Sequence, residues 1–177
     1  MIIEVKEKGT REYCKEVVNT ISQYKKFINR PDAELKDHFK SDPIWTGVMT
    51  SLFTIWLFHG IFNGFNVWIG IVLVITGLAL ILLIANQINM NKMVNAFLND
   101  DRTSTVTLDE KGVELNKEGT QVVRVGWEDM VVVRSFKESL CFLAQNVTGF
   151  VIAVSSRYKD DIMRYLEENQ VNVRVVQ

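Results

Sequence analysis

Hydrophobic positions change their spacing several times along this chain, and each change predicts a different element. From Thr10 to Ile28, the residues Tyr13, Val17, Ile21, Tyr24 and Ile28 recur at helical intervals on one face. That spacing predicts an amphipathic helix, ended by Asn29-Arg30-Pro31-Asp32. Ahead of it, Ile2-Ile3-Glu4-Val5 reads as an edge strand. Between Pro43 and Asn91 the pattern becomes continuously apolar: no Asp, Glu, Lys or Arg occurs, although charged residues make up 23% of the chain. Two stretches stand out there, Ile44 to Phe62 and Val67 to Ala85, of 19 residues each. As helices each would span roughly 28 Å, close to the hydrocarbon thickness of a bilayer.

Asn63-Gly64-Phe65-Asn66 joins the two stretches with turn chemistry, so they form a hairpin. Ser41-Asp42-Pro43 predicts the start of the first helix, with Asp42 as its N-cap and Pro43 at the first helical position. Ile88, Met93, Val94, Phe97 and Leu98 continue an apolar face, so the second helix extends through residues 86–99 as a stalk. Beyond Arg102 the spacing switches to two. Val106 and Leu108 alternate with threonines, Asp109-Glu110-Lys111-Gly112 turns, and Val113 and Leu115 alternate again. After a second turn at residues 116–119, strands follow at 121–125, 131–134, 140–144 and 150–154. Between the first two of these, Gly126-Trp127-Glu128-Asp129-Met130 makes a helical corner. A helix carrying Tyr158, Ile162, Tyr165 and Leu166 on one side follows, then a last extended piece, Val171 to Val176.

This pattern predicts an α+β membrane protein: an N-terminal segment at 1–43, a transmembrane hairpin at 44–85, the stalk, and a small antiparallel β domain at 100–177. About six strands closed by one C-terminal helix make a half-barrel or sandwich. The N-terminal amphipathic helix is expected to pack on that sheet or on the stalk. Its polar face carries Glu12, Lys15 and Glu16, unlike the Lys/Arg-dominated face of a surface-seeking helix.

Charge adds orientation. Lys25, Lys26, Arg30, Lys36, Lys40, Lys92 and Arg102 flank one end of the hairpin, while His59 to Asn66 at the other end holds no Lys or Arg. The positive-inside rule then places both termini in the cytoplasm, in a multi-pass protein of the cell membrane. The N-terminus lacks a signal-peptide pattern, which leaves insertion to the hairpin. Net charge is −1, and from Asp100 onward there are 10 Lys/Arg against 13 Asp/Glu. That balance argues against a nucleic-acid partner. Within the first helix Thr46, Gly47, Thr50, Ser51 and Thr54 share a face, and the second offers Gly70 and Gly77. Such small residues favour helix packing within the hairpin or between copies.

Candidate chemistry is sparse. Cys14 and Cys141 belong to no metal-binding pattern and read as free buried thiols. His38 and His59, the only histidines, lie near the membrane without a nucleophile in pattern. Asp100-Asp101, Asp109-Glu110, Glu128-Asp129 and Asp160-Asp161 read as solvated turns and helix starts. Neither GxGxxG nor a P-loop occurs, and the sequon Asn146-Val147-Thr148 falls on the cytoplasmic side. The expectation is no enzyme, no catalytic residue, no metal and no cofactor.

In the hairpin "VTLDEKGVEL", the corner "VGWEDMVVV" around Trp127 and the closing "SSRYKDDIMRYLEEN" helix, the chain resembles the YcxB-like family of bacterial membrane proteins. The resemblance spans most of the chain in architecture and rests in residues on Val106 to Leu166. It implies an N-terminal cytoplasmic segment, a transmembrane hairpin and a C-terminal domain similar to bacterial PH-like folds, with Trp127 a core anchor rather than a ligand-stacking ring. The family pattern's Ile-Pro-Lys-like step before the last helix is replaced here by Val154-Ser155-Ser156. No catalytic residue follows from it. Beside the bilayer, the partner expected is a protein or another copy of the chain, met by a non-enzymatic scaffold or adaptor. Two other readings stand beside it: a lipid- or small-ligand-sensing domain at the inner leaflet, with Arg124, Arg134 and Lys137 lining a headgroup pocket, or an accessory subunit of a transporter.

Overall fold

The structure, a computed structural model, describes residues 1–5, 9–119, 122–145 and 151–176. It is an α+β chain with two long apolar helices and antiparallel sheets. Two compact units form, one from residues 1–35 and 94–177, the other from residues 36–93. The expected N-terminal segment 1–43 is therefore divided, most of it folding with the β-rich unit.

In that unit, strands β1 (Ile2–Val5), β2 (Ser104–Asp109), β3 (Gly112–Lys117) and β4 (Val123–Gly126) form one antiparallel sheet in the order β1-β2-β3-β4. Strands β5 (Met130–Ser135), β6 (Ser139–Ala144), β7 (Val151–Ser155) and β8 (Arg174–Val176) form a second, ordered β7-β6-β5-β8. Two positions of the strands predicted at 121–125 and 150–154, Gln121 and Phe150, lie outside the described residues, as does the sequon at 146–148. Strand β8 runs parallel to β5, which a purely antiparallel expectation missed. The cause is helix α5 (Lys159–Glu168). It carries the chain back to the end where β7 began, so β8 enters in the same direction as β7.

Strand β6 explains the layering. All six of its residues are buried, because both faces of its sheet are covered. Leu140, Phe142 and Ala144 join Val106, Leu108 and Val113 of the first sheet and Ile162 and Leu166 of α5 in one core. Cys141 and Leu143 face the other way, onto Val17, Tyr24 and Phe27. Those three belong to helices α1 (Arg11–Ser22) and α2 (Tyr24–Asn29), which break at Gln23 where one continuous helix was expected. Thr10 caps α1 by accepting a hydrogen bond from the Tyr13 amide. Two tyrosines tie the pair down: Tyr13 Oη donates to the Ala153 carbonyl at 2.9 Å, and Tyr24 Oη donates to that of Ala144. The amphipathic stripe is thus covered by protein, its burial contributing roughly 1.5–3 kcal/mol per large side chain.

Gly112 closes the β2–β3 turn with φ +155°, and a Cβ there would collide with the Val125 carbonyl. Asp109 Oδ1 accepts the amides of Lys111 and Gly112, which makes the turn self-capped.

In the other unit, α3 (His38–Asn63) and α4 (Val67–Leu98) meet at a turn in which Gly64 takes φ +86°. α3 begins five residues earlier than expected. Its N-cap is Asp37, which accepts the amides of Phe39 and Lys40, and Pro43 sits in the second turn. Asp42 is not the cap; its side chain is used across the hairpin instead.

Candidate functional site

Three groups of polar side chains emerge from this framework. The first joins α3 to α4. Asp42, only 4% exposed, accepts from His38 Nδ1 at 3.2 Å, from Ser41 Oγ at 3.1 Å and from Asn86 Nδ2 of α4 at 2.7 Å. One turn on, Gln87 Nε2 donates to Thr46 Oγ1 at 2.7 Å, while Thr46 itself donates to the Asp42 carbonyl. Residues i and i+4 on α3 meet consecutive residues of α4, which pins the register of the two helices. Serine, histidine and aspartate are neighbours here, but Ser41 and His38 both point to Asp42 and not to each other. No proton relay to a nucleophile results. Asn86 opens the stalk expected at 86–99; its aspartate partner, 44 positions away, left no local signal.

Of the small residues on the hairpin, Gly77 lies against the Phe53 ring, whereas a Cβ at Gly47 or Gly70 would meet nothing within 4 Å. Thr50, Ser51 and Thr54 turn their hydroxyls to carbonyls one turn back.

The second group is a set of cations that the fold separates. Arg124 on β4 pairs with Asp109 and Glu114. Lys137, exposed in the β5–β6 turn, lies beside Glu138. Arg134 on β5 is 5% exposed; it donates to the carbonyls of Pro31 and Ala33 and stacks 4.1 Å over the Phe27 ring. Burial lowers the pKa of its guanidinium, yet the group stays charged at any ordinary pH. Of the three cations in the alternative headgroup-pocket reading, Arg124 lies on β4, Arg134 on β5 of the other sheet and Lys137 in the β5–β6 turn, at different depths.

In the same unit, half-buried Glu16 accepts the Glu138 amide and the Ser139 hydroxyl, the latter at 2.7 Å. Burial raises its carboxyl above the usual range against the pull of those donors. Ser139 and Cys141 are fully buried, and desolvation pushes the Cys141 thiol up to about 12. Such a thiol is a packing group, as expected of both cysteines. Among the described residues, no three of His, Cys, Asp and Glu gather as a metal cage. Trp127 is half-buried against the main core, its Nε1 donating to the Asp109 carbonyl at 2.8 Å. That bond anchors the corner to the β2–β3 turn.

The third group was not foreseen. A cavity of about 140 Å³ opens between the first turns of α1, the β2–β3 strands and β7. Asp100 lies on its wall, held by Arg102 through Nε at 2.8 Å and Nη2 at 2.9 Å, and by Lys117 Nζ. The two cations keep the Asp100 carboxyl well below the usual range. In the sequence Asp100-Asp101 looks like a solvated helix end; nothing nearby announces Lys117, 17 positions on.

Comparison with protein-family models, with curated proteins and with solved structures finds no match for this chain.

Proposed function

We propose that this chain is a non-enzymatic adaptor anchored in the cell membrane by the α3–α4 hairpin, with both termini and its two-sheet unit in the cytoplasm. The observation that carries the anchor is exposure. In α3 and α4, Ile44, Trp45, Ile55, Ile61, Phe62, Trp68, Ile75, Leu78, Ile81 and Leu82 all lie on the outside. The best 18-residue window of each helix is only 6% buried. Water would leave that belt unstable, whereas hydrocarbon is its natural solvent. The cations at one end of the hairpin orient it by the positive-inside rule.

The adaptor reading is supported by what the β-rich unit offers. Arg124 and Asp100 are held in ion pairs, Glu16 accepts from Ser139, and Ser139 and Cys141 are buried away from any substrate. Among the described residues, β4 and β7 each end a sheet with no further strand beside them. Such edges suit the addition of a strand from a protein partner or a second copy. Two sheets closed by α5 are also the arrangement implied by the YcxB-like, PH-like resemblance.

Site-directed labelling tests the anchor, since both native cysteines are buried and give a quiet background. A membrane-impermeant maleimide applied to intact cells should label Asn63→Cys and spare Asn172→Cys. Release by alkaline carbonate removes the anchor, and labelling at Asn172→Cys removes the cytoplasmic placement of the termini. For the adaptor, crosslinking in native membranes should trap a dimer or a hetero-complex; recovery of monomer alone removes that reading. Copurification with a larger transport protein would identify the hetero-partner as a transporter.

A further inference from the structure

Along the α3–α4 hairpin lies a groove of about 480 Å³, within the roughly 300–1,000 Å³ of small-molecule sites. Trp45, Met49, Ala79, Leu82 and Leu83 make its walls apolar, while Asp42 and Asn86 close one end with polar groups. Seven residues separate Asp42 from Met49, and Ala79 from Asn86, about 10 Å of helix in each case. The groove is therefore amphipathic along its length, polar where α3 begins and apolar toward the middle of the hairpin. A phospholipid has the same polarity along its own axis.

Asp42 sets the chemistry of the polar end. It is 4% exposed, and its donors are the Ser41 hydroxyl, the Asn86 amide and His38, a group charged only when protonated. Among the described residues no Lys or Arg pairs with it. Its Oδ1 takes two of these donors and its Oδ2 only the Asn86 amide, so Oδ2 keeps acceptor capacity. A carboxylate held this far from water is costly unless a cation matches it. We infer that the groove binds phosphatidylethanolamine, with the primary ammonium on Asp42 and an acyl chain along Trp45, Met49 and Leu83.

The headgroup follows from what a buried carboxylate asks for. A primary ammonium brings a positive charge and N–H donors together, and a hydrogen bond between two charged groups is the strong kind. The quaternary amine of phosphatidylcholine has no N–H to give, and phosphatidylglycerol brings no cation. A zwitterion also suits a wall on which Lys36 stands at the same end as Asp42. The tail follows from the opposite end, where Leu82 is 70% exposed and the walls offer no polar partner. This inference rests on the anchor reading, since only a hairpin in the bilayer meets a phospholipid along its flank.

The test places the full-length protein in nanodiscs of phosphatidylcholine, phosphatidylethanolamine and phosphatidylglycerol in equal parts. Native mass spectrometry then reads the lipid that leaves with the protein. Phosphatidylethanolamine should be retained about tenfold over either other lipid, as a hydrogen bond to a charged group, worth about 1.4 kcal/mol, requires. Asp42→Asn keeps the shape and removes the charge, and it should lose that preference. Ala79→Phe fills the apolar wall two turns from the Asp42 clamp, and it should lose retained lipid of every kind. If Asp42 only pins the helices, the native protein shows no lipid preference and Asp42→Asn lowers thermal stability equally with and without phosphatidylethanolamine. That combination overturns the inference. So does a preference for phosphatidylglycerol, which assigns an anionic headgroup, or a lipid-free dimer, which seats a second copy in the groove. A protein that does not enter nanodiscs removes the anchor and this inference with it, whereas entry without lipid preference removes this inference alone.

Discussion

Strand β6 and helix α4 are both nearly uninterrupted apolar sequence, yet they end in opposite surroundings. In β6, Leu140, Phe142 and Leu143 are at most 1% exposed, each face of the strand lying under another layer of the same chain. In α4, Leu78, Ile81 and Leu82 are 57–70% exposed. Hydrophobicity demands removal from water without saying what replaces it. For β6 the replacement is an amphipathic helix on one side and a second sheet with α5 on the other. The most apolar 18 residues of α4, with mean hydropathy 3.0, have no such cover.

That contrast can be broken experimentally at either end. Phe142→Ala should show the largest effect, about 3–5 kcal/mol, because it opens a cavity in a closed core. Chemical denaturation of the detergent-solubilised protein measures it, and a loss under 1 kcal/mol would mean that β6 is not sealed. Leu78→Arg should cost about 2.5–3.5 kcal/mol in membrane insertion, being near the middle of α4. On a water-facing helix the same change would be silent, so a glycosylation-reporter insertion assay sharpens the comparison directly. Smaller again is the Asp42–Asn86 clamp. A double-mutant cycle of Asp42→Ala with Asn86→Ala should give a coupling of about 0.6–1.7 kcal/mol, and zero coupling would detach the helix register from these two residues.

The smallest effect concerns pH. Asp100 is held below its ordinary value by Arg102 and Lys117, so the unfolded chain binds its proton more tightly than the native protein. Its contribution, about 1 kcal/mol, is complete above the unfolded carboxyl value near 4 and is lost as pH falls through the native one. Asp100→Asn should lower the neutral-pH stability by that amount and flatten the acid limb of the stability curve. An unchanged limb would show that the ion cluster is solvated.

Much of the fold was legible from local pattern. The two apolar helices, the strand-turn pairs around Gly112 and the final amphipathic helix each follow from spacing within a few residues. The start of α3 was less legible, since both Asp37 and Asp42 are plausible caps. Only the burial of Asp42 against Asn86 assigns them different tasks. The candidate sites were least legible. Arg124, Arg134 and Lys137 are close in sequence and apart in the fold, because one lies on β4, one on β5 of the other sheet and one in the β5–β6 turn. Arg134 spends its donors on Ala33, 101 positions away.

Residue order alone dictated two long apolar helices and, between Ser104 and Ser155, strands that alternate in and out of a sheet. Those are properties of a residue and its near neighbours. The covering of β6 on both faces, the crossover that turns β8 parallel, the Asp42–Asn86 pin and the Asp100 cation pair arose only when distant segments met. Each depends on pairings between segments far apart in the chain, and the free energy of such a pairing is not written at either end.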